Sequence, residues 1–256
     1  MYYIDTHTHL FLPIYGNNIK NVIDRALQVN KKMILPNIDL STINKLFSLC
    51  DQYKNFLYPM LGIHPMYIDN NHKYLISKIE KIIYQKSKSI CGIGEIGLDT
   101  FYNRKYFYNQ KEAFLKQLQI AKNISKPVSI HCRHDYNELI DILKLKENKY
   151  LKGVVHCFSG NLMQANKLIE LGFYLGIGGL LTFNNCHLSK IIHKININNI
   201  ILETDSPYLS PYPFRGQQNE SYNIIYVAHA IAKLQNKSIN LIINITNKNV
   251  FNLFKI

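Results

Sequence analysis

Six residues of this chain are of the types that hold divalent metal ions, and each stands at or near the end of a short apolar run: His7, His9, Glu95, His131, His156 and Asp205. His7 and His9 are two apart in Asp5-Thr6-His7-Thr8-His9, a spacing that on a strand points both imidazoles to one side. Asp5 is positioned either to accept a ring N–H or merely to close the strand. Imidazole pairs suit Zn, Mn, Fe or Ni, and added carboxylates widen the choice toward Mg and Mn. Glu95, flanked by glycines in Gly92-Ile93-Gly94-Glu95-Ile96-Gly97, reads as a carboxylate presented into a crowded pocket, with two oxygens able to bridge two cations. Each residue alone has an ordinary explanation: an incidental His-x-His pair, an acid at a bulged strand end, satisfied core histidines, a turn Asp before Ser206-Pro207. Four histidines and two carboxylates together exceed what one tetrahedral zinc requires and leave room for water. That is the composition of a two-metal hydrolytic centre, with Asp205 as both ligand and proton acceptor.

Residues 7 to 205 meet only if the strands that carry them end on one face. Eight apolar runs are of strand length: Tyr2–Ile4, Met33–Leu35, Tyr58–Ile63, Ile90–Ile93, Val128–Ile130, Val154–Val155, Phe173–Ile177 and Ile200–Leu202. Between them lie helical faces such as Ile19, Val22, Ile23, Ala26, Leu27 and Leu75, Lys78, Ile79, Ile82, Ile83. The alternation predicts an α/β fold, a (β/α)8 TIM-type barrel, regular or distorted, with its active site at the C-terminal ends of the strands. A doubly wound open sheet is the alternative, because periodicity does not reveal closure. No repeat, low-complexity block or Pro/Gly linker divides the chain, so residues 1–256 are read as a single domain.

The composition narrows the class further. Hydrophobic residues make up 47%, enough for a substantial core and against a disordered or fibrous chain. No apolar run reaches about 18 residues, and the start has no basic n-region, so neither a membrane span nor a signal peptide is expected. Five scattered cysteines without a CxxC pair argue against a disulfide framework, and a cytoplasmic protein is expected. The net charge of +13 gives weak support for an acidic substrate. Its lysines are dispersed, and the abundance of Ile, Asn, Lys and Tyr without Trp fits compositional drift in an AT-rich genome.

In order and spacing these motifs resemble the TatD family of metal-dependent deoxyribonucleases, within the amidohydrolase superfamily. The likeness runs from Asp5-Thr6-His7-Thr8-His9-Leu10 through Gly62-Ile63-His64-Pro65 and Gly94–Asp99 to Pro127–Arg133 and His156–Gly160. It continues through Glu203-Thr204-Asp205-Ser206-Pro207-Tyr208-Leu209 and Arg215–Glu220 to Asn249-Val250-Phe251. The resemblance implies a distorted barrel whose divalent-metal site, holding two ions of Mg, Mn or Zn, cleaves DNA phosphodiesters, commonly from a 3′ end. It implies that His7, His9 and Asp205 hold one metal, His131 and His156 the second, and Glu95 bridges them. His64 would lie near the scissile phosphate, its alternative being a loop cap beside Pro65. Arg133 and Arg215 are candidate phosphate forks, with surface salt bridges as the alternative. The chain departs from the family pattern at Phe11, Phe214 and Ser221, none of which is a proposed ligand. The aromatic stretch Phe101, Tyr102, Tyr106, Phe107, Tyr108 would either stack unpaired bases or form the apolar side of the next helix.

Two other functions compete with a nuclease acting on single-stranded DNA or 3′ ends. A small-molecule amidohydrolase or esterase would use the same water-activating centre, although Glu95 supplies the carboxylate for which many such enzymes use a carboxylated lysine. A nucleic-acid or protein-binding scaffold that no longer reacts would be expected to have lost ligands, and all six are present. With no apolar interface stripe evident, a monomer is expected.

Overall fold

In the computed structural model, which describes residues 2–101 and 104–256, every one of the eight apolar runs forms a strand. They are β1 (Tyr3–Asp5), β2 (Asn30–Pro36), β3 (Leu57–Leu61), β4 (Gly92–Asp99), β5 (Val128–Arg133), β6 (Gly153–Val155), β7 (Phe173–Ile177) and β8 (Ile200–Leu202). Neighbours pair in parallel in sequence order. The circle is completed just past the strand ends, where Thr6 N–H donates to Leu202 O, Asp205 N–H to His7 O and His9 N–H to Ser206 O. Thr8 and Ser206 form the bridge between first and last strands. The architecture is thus a nearly closed (β/α)8 barrel, and the open-sheet alternative falls.

Helices α1 (Ile19–Leu27), α2 (Ile43–Gln52), α3 (His72–Lys86), α4 (Phe107–Asn123), α5 (Tyr136–Leu143) and α6 (Leu162–Glu170) follow β1 to β6. Asn161 and Gln164 begin α6 with a reciprocal capping box, satisfying two otherwise unpaired N–H groups. The β7–β8 crossover departs from the regular pattern. It consists of four short 3-10 turns, Gly179–Thr182, His187–Lys190, Ile192–Lys194 and Ile197–Asn199, and no α-helix. Two helices, α7 (Ile224–Gln235) and α8 (Ile239–Phe254), come after β8.

Strand alternation divides the core. Outward residues such as Met33, Leu35, Ile93 and Leu175 pack against the helices. Inside the barrel, Ile4, Ile34, Met60, Val154 and Ile201 fill the amino-terminal end, and Val250, Leu253 and Phe254 of α8 close it. Asn249 fixes that helix by donating to Ile197 O and Ile200 O. β4 extends further than its apolar run predicts, because its glycines allow close packing. A Cβ at Gly92 would lie 2.5 Å from Met60 Cε, and one at Gly94 2.8 Å from Ser129 Cβ. A register shift between Ile93 and Ile96 then places Glu95 within the strand.

Candidate metal centre

Beyond the apolar plug, the carboxyl ends of β1, β4, β5, β6 and β8 lead into polar residues. Past Ile4 the chain leaves β1 and runs extended through His7 and His9, whose Nε2 atoms lie 3.2 Å apart. His131 on β5, two residues past Ser129, and His156, the residue just after β6, lie beside Glu95. Glu95, 2% exposed, sits between the two histidine sets. Its Oε2 lies 3.2 Å from His7 Nε2 and 3.5 Å from His9 Nε2. Its Oε1 lies 2.9 Å from His131 Nδ1 and 3.3 Å from His156 Nε2. Asp205 Oδ1 completes the first set, 3.4 Å from His9 and 3.9 Å from His7. The backbone of Asp205 is left-handed (φ 56°). All six residues singled out in the sequence therefore converge, and each oxygen of Glu95 faces a different group of donors.

The outer nitrogen of each imidazole is anchored. His7 Nδ1 meets Ser129 Oγ at 3.3 Å, and His9 Nδ1–H donates to Pro36 O at 3.2 Å. His156 Nδ1–H donates to Glu203 Oε1 (3.2 Å) and His131 Nε2–H to Asp99 Oδ2 (2.8 Å). The two carboxylates therefore select opposite tautomers, leaving Nε2 of His156 and Nδ1 of His131 for the centre. Asp99 and Glu203 had no role assigned from sequence, although Glu203 is in phase with the inward Ile201. Room for it comes from Gly176, where a Cβ would stand 2.2 Å from Glu203 Oε2. Among the described residues Oε2 has no hydrogen-bond partner.

His64 behaves differently. Its Nδ1 accepts the Met66 N–H (3.1 Å), capping the turn at Pro65–Tyr67. A neutral imidazole accepting at Nδ1 carries its proton on Nε2. His64 Nε2–H thus donates to Glu95 Oε1 at 3.3 Å and does not offer a lone pair. Cap and pocket residue, set against each other as alternatives, coexist in one side chain. Asp5 takes no ring N–H. It accepts from the backbone of His7 and Thr204 and from the hydroxyls of Thr204 and Ser221, stitching β1 to the end of β8. Burial pushes its carboxyl up to about 7 despite those four donors.

The electrostatics fit cation binding. Burial would raise the Glu95 carboxyl, but His64, His7 and His156 outweigh it and hold Glu95 well below the usual carboxylate range. Asp205 is likewise held low against burial, chiefly by His156 and by its contact with His9. For His156, the carboxylates of Glu203, Glu95 and Asp205 overcome burial and push the imidazole up to about 10. His131 is also raised against burial, by Asp99 and Glu95. Two imidazoles that each face carboxylates from both nitrogens hold protons where a cation would sit, and replacing proton by metal keeps the charges balanced. The donor set fits a divalent metal.

Arg133 and Arg215 lie outside this cluster. The Arg133 guanidinium sits 3.3 Å over the Phe101 ring and that of Arg215 3.6 Å over Phe183. Phe101 also stacks on His134, with ring centroids 5.3 Å apart. Phe107 is buried in the first turn of α4 and Tyr108 is exposed, while Tyr102 lies outside the described residues. Of the three departures from the family pattern, Phe11 packs edge-on against His9 and Ser221 donates to Asp5.

A family model described as TatD related DNase matches residues 4–255. The chain belongs to the TatD family. It is 33% identical over 255 residues to YabD of Bacillus subtilis, an uncharacterized metal-dependent hydrolase, with 98% of each chain covered. The crystal structure of YjjV, a TatD homologue from Escherichia coli K12, superposes with a TM-score of 0.93 at 28% identity, covering 99% of this chain and 98% of that one. A TatD family hydrolase from Entamoeba histolytica shares the fold, with a TM-score of 0.86 at 22% identity over 99% of this chain and 98% of its own. Together with the clustered ligands, these likenesses make the chain a metal-dependent hydrolase of the TatD family. Among the described residues no helix is long and apolar enough to cross a membrane, and the five cysteines are free.

Proposed function

We propose that the chain is a deoxyribonuclease that hydrolyses DNA phosphodiester bonds from 3′ ends, using two divalent cations of Mg, Mn or Zn. The observation that carries this reading is the placement of Glu95, with one oxygen toward His7 and His9 and the other toward His131 and His156. His7, His9 and Asp205 would hold one ion, His131 and His156 the other, and Glu95 would bridge them. The chemistry that bound divalent cations supply is acidification of water and polarisation of a phosphoryl oxygen.

The protein's own groups do the rest. Asp205, held ionised and with its side chain 13% exposed, can accept the proton of an attacking water. His64, neutral because burial lowers its pKa, can turn its one N–H from Glu95 Oε1 to a non-bridging phosphate oxygen once Glu95 is engaged by metal. Arg133 and Arg215, each backed by an aromatic face, bind phosphate. In this reading the enzyme is a cytoplasmic monomer acting on single-stranded DNA or frayed 3′ ends.

The test is hydrolysis of a 5′-labelled single-stranded oligodeoxynucleotide in Mg²⁺, Mn²⁺, Zn²⁺ or chelator. Metal-dependent shortening from the 3′ end is expected. A protein that binds metal tightly yet leaves the strand intact would overturn the nuclease reading and direct the search to small esters and amides.

A further inference from the structure

We infer that the loops after β7 and β8 form a nucleotide subsite beside the metal centre, where one base of the strand stacks on the Arg215 guanidinium. This rests on the phosphodiester reading and adds to it a location for substrate recognition. A cavity of about 390 Å³ opens between these loops, lined by Thr182, Phe183, Asn184, Asn185, Tyr212 and Arg215. That volume falls in the range of small-ligand pockets.

The loops are locked to each other and to the centre. Tyr212 N–H donates to Thr182 Oγ1 at 2.8 Å. Gly179 packs so closely on the β8 loop that a Cβ would stand 2.0 Å from Leu209 O. Four residues before Leu209, the same loop supplies Asp205, and Tyr208 lies against His9 with ring centroids 6.2 Å apart. From Tyr208, the chain to Tyr212 spans at most about 14 Å. The cavity is therefore on the same barrel face as the ligands and within a short strand's reach of them.

Its chemistry suits a nucleotide. Phe183 underlies the Arg215 guanidinium at 3.6 Å, which fixes that planar cation with one face covered by the ring. The outer face can carry a base, and the edge retains N–H donors for phosphate. Tyr212, 65% exposed, adds a second aromatic surface. The exposed amides of Asn184 and Asn185 present both donors and acceptors, as a base edge requires.

The experiment compares two phosphodiesters: bis(p-nitrophenyl) phosphate, too small to span centre and cavity, and a single-stranded oligodeoxynucleotide. Phe183→Ala and Tyr212→Ala should raise KM for the oligonucleotide about tenfold or more relative to the small diester, the scale of one lost stack, with kcat changed less. Arg215→Ala, which removes a phosphate donor as well, should raise KM for both substrates, more for the oligonucleotide, and flatten the salt dependence of KM. If in the two aromatic variants KM for both substrates rises together, or neither moves, the subsite is overturned while the nuclease reading stands. If wild-type protein hydrolyses neither substrate, the phosphodiester reading falls and takes the subsite with it. Tyr212→Ala protects the test against misfolding of Phe183→Ala, since Tyr212 meets Thr182 through its backbone N–H.

Discussion

The two ends of the barrel interior are built on the same strands and have opposite chemistry. At the amino-terminal end, Ile4, Ile34, Met60, Val154 and Ile201 form a dry plug under α8. Two residues further along β6 and β8, the same inward phase carries His156 and Glu203. The plug is held by dispersion and apolar burial, which tolerate change in chemical detail as long as volume is kept. The polar end is held by directional contacts among buried ionisable groups, each of which is costly unless partnered. Stability and catalysis are thereby separated along a few ångströms of one sheet.

Four substitutions or conditions test that contrast. Glu95→Ala should have the largest effect, a loss of at least about 10³-fold in metal-dependent hydrolysis, the scale on which removing a member of a catalytic unit acts. It should also lower the melting temperature of the chelated protein, because His131 and His156 lose the buried carboxylate that compensates their charge; an unchanged melting temperature would mean the polar end contributes no stability. Met60→Ala should spare the metal centre. It should cost about 2–5 kcal/mol, or roughly 4–20 °C in Tm, with metal stoichiometry unchanged. Loss of a metal ion in that variant, read by atomic emission, would show that the two ends are not separable.

Glu203→Ala should weaken metal binding by about 10–100-fold through the freed His156 ring. Glu203→Gln, which keeps an oxygen for His156 Nδ1–H and for Cys157 N–H, should recover most of it. Equal losses in both variants would show that charge, and not ring orientation, is what Glu203 contributes. The smallest effect is one of pH. His156 of the metal-free protein holds its proton up to about 10 and must lose it to bind a cation, so loading at pH 7.5 should release about one proton or more. Apparent affinity should then improve as pH rises and worsen as it falls. The same raised pKa stabilises the metal-free chain below about pH 6.5, a contribution lost as pH rises through 10. Calorimetry in buffers of differing ionisation enthalpy counts the protons, and a count of zero would mean His156 is not displaced.

Much of this was readable from residue order alone. Strand-length apolar runs placed all eight strands, because β-branched runs between amphipathic stretches have few other uses. The six convergent residues were legible by type, since buried pairs of imidazole and carboxylate are too costly to accumulate without a purpose. What residue order left open was pairing at a distance. Closure of the barrel rests on Thr8 meeting Ser206 and on Asp5 accepting donors from Thr204 and Ser221, contacts across about 200 residues that no local periodicity encodes. His64 differs from the other four histidines of the cluster through the Met66 N–H that fixes its tautomer. Asp99 and Glu203 gain their roles only once β4 lies beside β5 and the glycine at 176 leaves space on β7. Residue types and their spacing set which atoms can bind a metal. Which nitrogen of each imidazole does so is decided by hydrogen bonds that exist only in the folded barrel.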